Sequence, residues 1–587
     1  MASTNGSNTT SLELAIGIVG KWKHTYQWIP IFGGGVAVAM AFSAGANNIP
    51  ISFSSLIGSE ALAFFKVAIM AFVIYIPGAT FACNSAVTPL LSKFVRENQP
   101  SEGFIMWSMV VVLITATIWL AVATYFALPV SSQQSTRAAL LGTMLATKGC
   151  KFLTLWEKSA NDNFDGFDLL RFFLEWTVAP LISCACTFCF FKAFRNFILR
   201  HENGEKRIFI FLPVYYGISA GLLCLFIMDE VIPYYMRGFR RTIIVAVAMA
   251  TLLGALLSLL LIVPLAKMRM DSTLASPPQQ RTEGQDQAID AKEGSKDNSE
   301  DAVRDFIQMR VLNTVYEEDE QSLASPQISQ EIEHILSPPQ PSRAQSAAFK
   351  QLLESTPNML IRERNSQTIE KRENVSIFIR DFIKSIFYPV IACDRKTLIR
   401  HALAEKFDEM EDLLRFPHIL TSSIFALVQG VRETAALMSP FQAILEIFNF
   451  RSEFSRNDKY VGSLSVDWWF RTAGALGASL GFLLCGWRLT QCLANRLSYI
   501  SNSRGVAFQL SAVATIILVN KANFPVSSVH TSIGALIGLG IADSPRNVNW
   551  KLLLKFVFGW VMTVIFCCLV AYGIFFSSIH SPSYVVP

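Results

Sequence analysis

Residue types that need hydrogen-bond partners recur in this chain inside segments where lipid offers nothing to bond with. "GANNIPISFSSLIGS" (45–59) places the adjacent amides Asn47 and Asn48, Pro50 and four serines within an apolar run. Two further passages, Pro129-Val130-Ser131-Ser132 and Pro525-Val526-Ser527-Ser528, each lead into a small-residue stretch. Hydroxyls donate and accept, and amides offer both a donor and an acceptor, so these residue types suit a polar solute held between helices. A fourth passage, "ALVQGVRETAALMSP" (426–440), carries Arg432, Glu433 and Thr434. Ionisable groups at such depth cost several kcal/mol and normally face a cavity or a partner. Arg432 and Glu433 are adjacent and cannot face one another on a helix; a bound anion is a natural partner for the guanidinium. His530, two residues beyond Ser528, either relays protons or packs. For Ser52, Ser54 and Ser55 the plainer reading is bonding back to their own helix.

The elements that must position these residues are membrane helices. With 587 residues, 52% hydrophobic and 16% charged, the chain is too apolar for an ordinary soluble enzyme. The expected fold is all-α, a polytopic membrane protein with about twelve passages. They are placed near 28–57, 61–81, 104–127, 130–149, 169–191, 207–228, 242–266, 416–448, 468–492, 506–522, 526–541 and 552–577. The formal charge of +5 is small and spread over loops, which argues against nucleic acid as a partner. The cysteines, including the formal C-x-x-C at Cys186 and Cys189, read as soft hydrophobes in lipid. Residues 1–12 do not resemble a signal peptide, so the first span is expected to direct its own insertion.

Four regions follow: a polar tail and lead-in (1–27), a first membrane block (28–266), an insertion (267–415) and a second membrane block (416–587). The insertion is expected to be disordered over 270–345 and to carry an amphipathic helix over 375–415. Basic loops at 192–207 and 546–555 are expected on the cytoplasmic side. That puts the insertion inside and both termini outside; the tail sequons at Asn5 and Asn8 agree, although a Ser/Thr/Asn-rich tail yields such sequons by chance at least as readily.

The two blocks repeat one another. "FALPVSSQQSTRAALLG" (126–142) matches "NFPVSSVHTSIGALIGLG" (523–540), and "LLRFFLEW" (169–176) matches "LLKFVFGW" (553–560). The passages at 42–56 and 426–440 hold the same ordinal place. With the expected topology the copies are inverted. Inverted repeats with helices broken at the midplane mark secondary transporters, with the solute between the copies. A break at residues 47–50 is expected to present helix ends to that solute.

These passages resemble the inorganic phosphate transporter (PiT) family. Its two signatures read roughly G-A-N-D-V-A-N-S-F and H-G-A-N-D-V-A-N-A-I-G-P, each followed by P-V-S-T-T-H. The resemblance covers nearly all of both membrane blocks and implies phosphate transport driven by sodium ions or protons, without enzymatic chemistry. Carried over by position, it implies phosphate binding at Asn47, Ser131, Ser132, Ser527 and Ser528, and Arg432, standing where the family has an amide, joins them on the charge argument above. It implies cation coupling at Asn47, Asn48, Glu433 and Thr434, and a proton relay through Glu433 and His530. Asn48 and Arg432 depart from the pattern, moving the local formal charge from about −2 to about 0. Weaker sodium dependence is the consequence drawn from that change. A homodimer in the plasma membrane is expected. The rival reading is a phosphate sensor or scaffold that kept the fold.

Overall fold

The computed structural model describes residues 21–81, 102–149, 169–232, 240–275, 404–405, 407–449, 467–522, 524–545 and 548–580. Among these no strand occurs, and helices fall on each of the twelve apolar passages. The first block holds α1 (Trp28–Gly58), α2 (Phe64–Phe81), α3 (Glu102–Tyr125), α4 (Ser132–Lys148) and α5 (Leu169–Phe194). Next come α6 (Gly204–Phe226) and α7 (Arg240–Leu257), the latter continuing through a π-turn to Ala275. The second block holds α8 (Asp408–Asn449), α9 (Trp468–Cys485), α10 (Asn502–Lys521), α11 (Ser528–Asp543) and α12 (Trp550–His580). Among the described residues eight helices are long and apolar enough to cross a membrane: α1, α2, α3, α5, α6, α7, α10 and α12. By contrast, α4 and α11 have 17 and 16 residues and follow extended Pro-Val-Ser segments. That is short of the roughly 20 residues a crossing needs.

The packing shows the repeat more clearly than the sequence does. In each copy the first helix packs against the third and the third against the fourth, as α1–α3–α4 and α8–α10–α11. Other pairs are exchanged between copies: α4 lies along α12 while α11 lies along α5, and α1 lies along α9 while α8 lies along α2. Single residues carry the exchange. A Cβ on Gly142 of α4 would stand 2.2 Å from the carbonyl oxygen of Cys568 on α12. One on Gly538 of α11 would stand 2.1 Å from that of Cys184 on α5. Gly142 and Gly538 hold the same place in the two copies, as do Cys184 and Cys568. Small residues let membrane helices approach to backbone contact, and here they do so at equivalent positions of the two copies. Each large apolar core is accordingly mixed, for example Val110 of α3 and Leu141 of α4 with Ala571 of α12, or Ile533 of α11 with Ala179 of α5.

The expected break at 47–50 is corrected by the structure. α1 stays helical from Trp28 to Gly58 with Pro50 inside it, and α8 likewise passes Pro417 and Pro440. Pro50 lacks only one donor of the helical ladder, and dense packing on every side holds the helix together around it. The interruptions lie instead at the Pro-Val-Ser segments, where Ser131 (φ −81°, ψ 122°) and Ser527 (φ −113°, ψ 128°) are extended. Of the stretch expected to be disordered, 270–275 is instead the end of the helix that continues α7, and the rest lies outside the described residues, as do the tail sequons and most of the amphipathic stretch at 375–415.

Candidate functional site

Ser132 and Ser528 are the first residues of α4 and α11, and both reach the same carboxylate. Ser132 Oγ donates to Glu433 Oε2 and Ser528 Oγ donates to Glu433 Oε1, each at 2.6 Å. Asn48 Nδ2 donates to Ser132 Oγ at 2.7 Å and lies 3.5 Å from Glu433 Oε2. All four residues are buried. The hydrogen bonds require the two helix N-termini to converge on the Glu433 carboxylate from opposite copies of the repeat. Each N-terminus carries roughly half a positive charge and unsatisfied N–H groups, so the convergence is an anion cradle by construction. Asn48 Oδ1 and Ser527 Oγ are also buried, and neither has a protein partner. Carboxylate, amide and hydroxyl oxygens are the ligands a hard cation prefers. Among the described residues no group of three or more His, Cys, Asp or Glu side chains is arranged to hold a metal ion.

The other expected residues divide into those at the cradle and those bracing it. Thr434 follows Glu433, its hydroxyl buried and without a hydrogen-bond partner. Ser131 caps α4, its Oγ accepting from Gln134 N at 3.4 Å. Asn47 is occupied elsewhere: its Nδ2 donates to Thr124 Oγ1 and Leu128 O, and its Oδ1 accepts from Val130 N. It thereby clamps the end of α3 to the turn that presents Ser132. Arg432, its counterpart in the second copy, donates to Asn520 Oδ1 at 3.0 Å, and Asn520 in turn donates to Glu230 Oε1 at 2.9 Å. Asn520 corresponds to Thr124, so the two braces are equivalent. The guanidinium is thus aimed at the C-terminal end of α10 and not into the cradle. His530 is fully buried edge-on against Trp560, with ring centroids 4.4 Å apart, and neither nitrogen has a hydrogen-bond partner.

Two buried polar groups were not singled out from the sequence. Glu175 of α5 is ion-paired with Arg137 and accepts from Gln134 Nε2 at 2.9 Å. Their signal was present, as an acid and a base inside segments already recognised as repeats. Between α1, α8 and α10, Gln429 Nε2 donates to Asn48 O, Ser52 donates to Gln429, and Gln509 Nε2 donates to Ser55 Oγ. This corrects the expected bonding of these serines back to their own helix: partners on neighbouring helices take both hydroxyls, and that of Ser54 is buried without a partner. His418 then contacts Ser55 Oγ at 2.9 Å and Asn502 Oδ1 at 3.1 Å. The polar run starts at the cradle and reaches Glu411, whose carbonyl accepts from Asn502. No motif marks it, because its members come from three separate helices.

Comparison with known proteins decides the family. A profile of the phosphate transporter family matches residues 44–571, nearly the whole chain. The chain belongs to that family. Among members of this transporter family, it is 22% identical to the phosphate-repressible phosphate permease pho-4 of Neurospora crassa over 92% of this chain and 95% of that one. It is 23% identical to a sodium-dependent phosphate transporter of Plasmodium falciparum over 95% and 98%. A solved structure titled the sodium-dependent phosphate transporter superposes with a TM-score of 0.59 at 16% identity, covering 94% of this chain and 99% of that one, which shows the shared fold. The family is one of transporters, in line with a non-enzymatic role.

Proposed function

We propose that this protein carries inorganic phosphate across a membrane together with a cation, sodium or a proton, through the cradle at the head of α4 and α11. The observation that carries the reading is the arrival of Ser132 and Ser528, from two helix N-termini, at one buried anionic position. The relatives' names supply the substrate class. Glu433, Asn48 and Thr434 form the coupling side, with Ser527 as a further donor toward the anion. Weakened sodium dependence requires the Arg432 guanidinium in the cradle. With the guanidinium turned to Asn520, the cradle keeps one fixed negative charge, and sodium coupling is the stronger expectation. No observation favours the sensor alternative.

The same reading extends to sidedness. Arg195 and Arg504 both reach Asp543, and Arg200 pairs with Glu405, which gathers the ends of α5 and α11 and the starts of α8 and α10 on one face. That face carries the basic 192–207 turn and is assigned to the cytoplasm. Asn520, Lys521, Asp229 and Glu230 then belong to the opposite face. A plasma-membrane homodimer with external termini completes the proposal. The test is uptake of labelled phosphate by proteoliposomes holding the purified protein, under sodium and proton gradients applied separately. Accumulation against a phosphate gradient is the expected result; phosphate binding without uptake under either gradient would identify a sensor.

A further inference from the structure

We propose that the Glu433 carboxylate is a tethered anion that fills the phosphate cradle between transport cycles, so that sodium must draw it off before phosphate enters. The inference rests on the phosphate reading above and adds an order of events to it. Both carboxylate oxygens are engaged, one by Ser132 and one by Ser528. These are the donors an incoming anion needs, so carboxylate and phosphate compete for the same hydroxyls.

Charge balance points the same way. Two helix N-termini at roughly half a positive charge each offset about one negative charge, and Glu433 already supplies it. Arg432 and Arg137 act on the carboxylate only from a distance, being directed at Asn520 and Glu175. A phosphate joining the ionised carboxylate would add at least one uncompensated charge where Asn48 and Glu433 are each 1% exposed. A sodium ion on the carboxylate removes the excess and frees both serines. Asn48 Oδ1, buried and without a protein partner, offers that ion a second oxygen. Side-chain length matters too. Glutamate bridges both serines here, whereas the aspartate of the family pattern is one methylene shorter.

The test is binding of labelled phosphate to the purified full-length protein in nanodiscs, in sodium and in choline media. Wild type should bind phosphate at least about tenfold more weakly in choline. Glu433→Gln, neutral and of the same shape, should bind equally in both media and at least about tenfold more tightly than wild type in choline. Glu433→Asp, charged but too short to span both serines, should fall between them. A folded Glu433→Gln protein that has lost phosphate in both media, or that keeps the wild-type sodium dependence, overturns the inference. So does a wild type indifferent to sodium. If Glu433→Gln does not fold, Glu433→Asp carries the test, and a choline affinity no better than wild type overturns it. Wild type that binds no phosphate in either medium overturns the phosphate reading itself, and this inference with it.

Discussion

A buried carboxylate that takes one hydroxyl from each copy of a repeat makes single-atom deletions informative. Ser132→Ala, Ser527→Ala and Ser528→Ala should each weaken phosphate binding by about 1–3 kcal/mol, the loss expected when a buried site is denied one partner. Isotherms in saturating sodium measure this with Glu433 drawn off its serines. Unchanged affinity in all three would place the anion elsewhere. Arg432→Asn, by contrast, should change phosphate affinity by less than about 1 kcal/mol, since the guanidinium bonds Asn520 and loses a brace rather than a ligand. Much of this site was legible in the sequence, because prolines and paired serines are conspicuous in an apolar setting. Glu433 was equally plain. The direction of Arg432 was not, since it depends on Asn520, 88 residues further on. Nor was the role of Asn47, whose amide is consumed by the turn at Leu128 and Val130.

Helix pairs in this protein are fixed where backbone meets backbone. Gly142→Ala and Gly538→Ala each drive a methyl into a carbonyl oxygen, at Cys568 and Cys184 respectively. Overpacking of this kind costs about 1–3 kcal/mol, so both variants should melt lower and, being at separate contacts, the double variant should lose close to the sum. A change in melting temperature at one position alone would show that the copies are not packed equivalently. The helices themselves followed from apolar run length, but their partners did not. The Gly142/Gly538 and Cys184/Cys568 equivalences stand in the sequence and become meaningful only once the exchange is seen. Pro50 misled for a related reason: local chemistry predicts a break, and packing on all sides overrides it. At the basic face, the Arg200 fork on Glu405 holds that carboxyl below the usual carboxylate range. A depressed folded value stabilises above the unfolded one and is lost as pH falls through the folded one. Arg200→Ala should therefore lower the melting temperature slightly at neutral pH, with the difference from wild type vanishing in acid.

At the scale of the whole molecule the exchange of helices makes the two blocks obligate partners. α4 finds its long contact in α12 and α11 finds its own in α5, so neither block buries its small-residue faces by itself. The cradle is shared in the same way, with Asn48 and Ser132 from the first block and Glu433 and Ser528 from the second. The chain between the blocks contributes none of these groups. Two consequences are separable. Deleting residues 275–340 should leave phosphate uptake intact, because a polar segment of that composition adds little to a packed membrane core. More stringently, residues 1–275 and 404–587 expressed as separate chains should each aggregate alone, yet co-purify and bind phosphate when produced together. Joining two halves in one chain raises their effective concentration, so the separate chains test whether the packing between the copies is enough to hold them together. Co-purification that fails while each half is stable alone would show that the blocks fold as independent domains, contrary to the exchanged packing. Recovery of sodium-dependent phosphate binding in the two-chain protein, with Ser132 and Glu433 on different polypeptides, would show that the cradle is assembled by the meeting of the two copies.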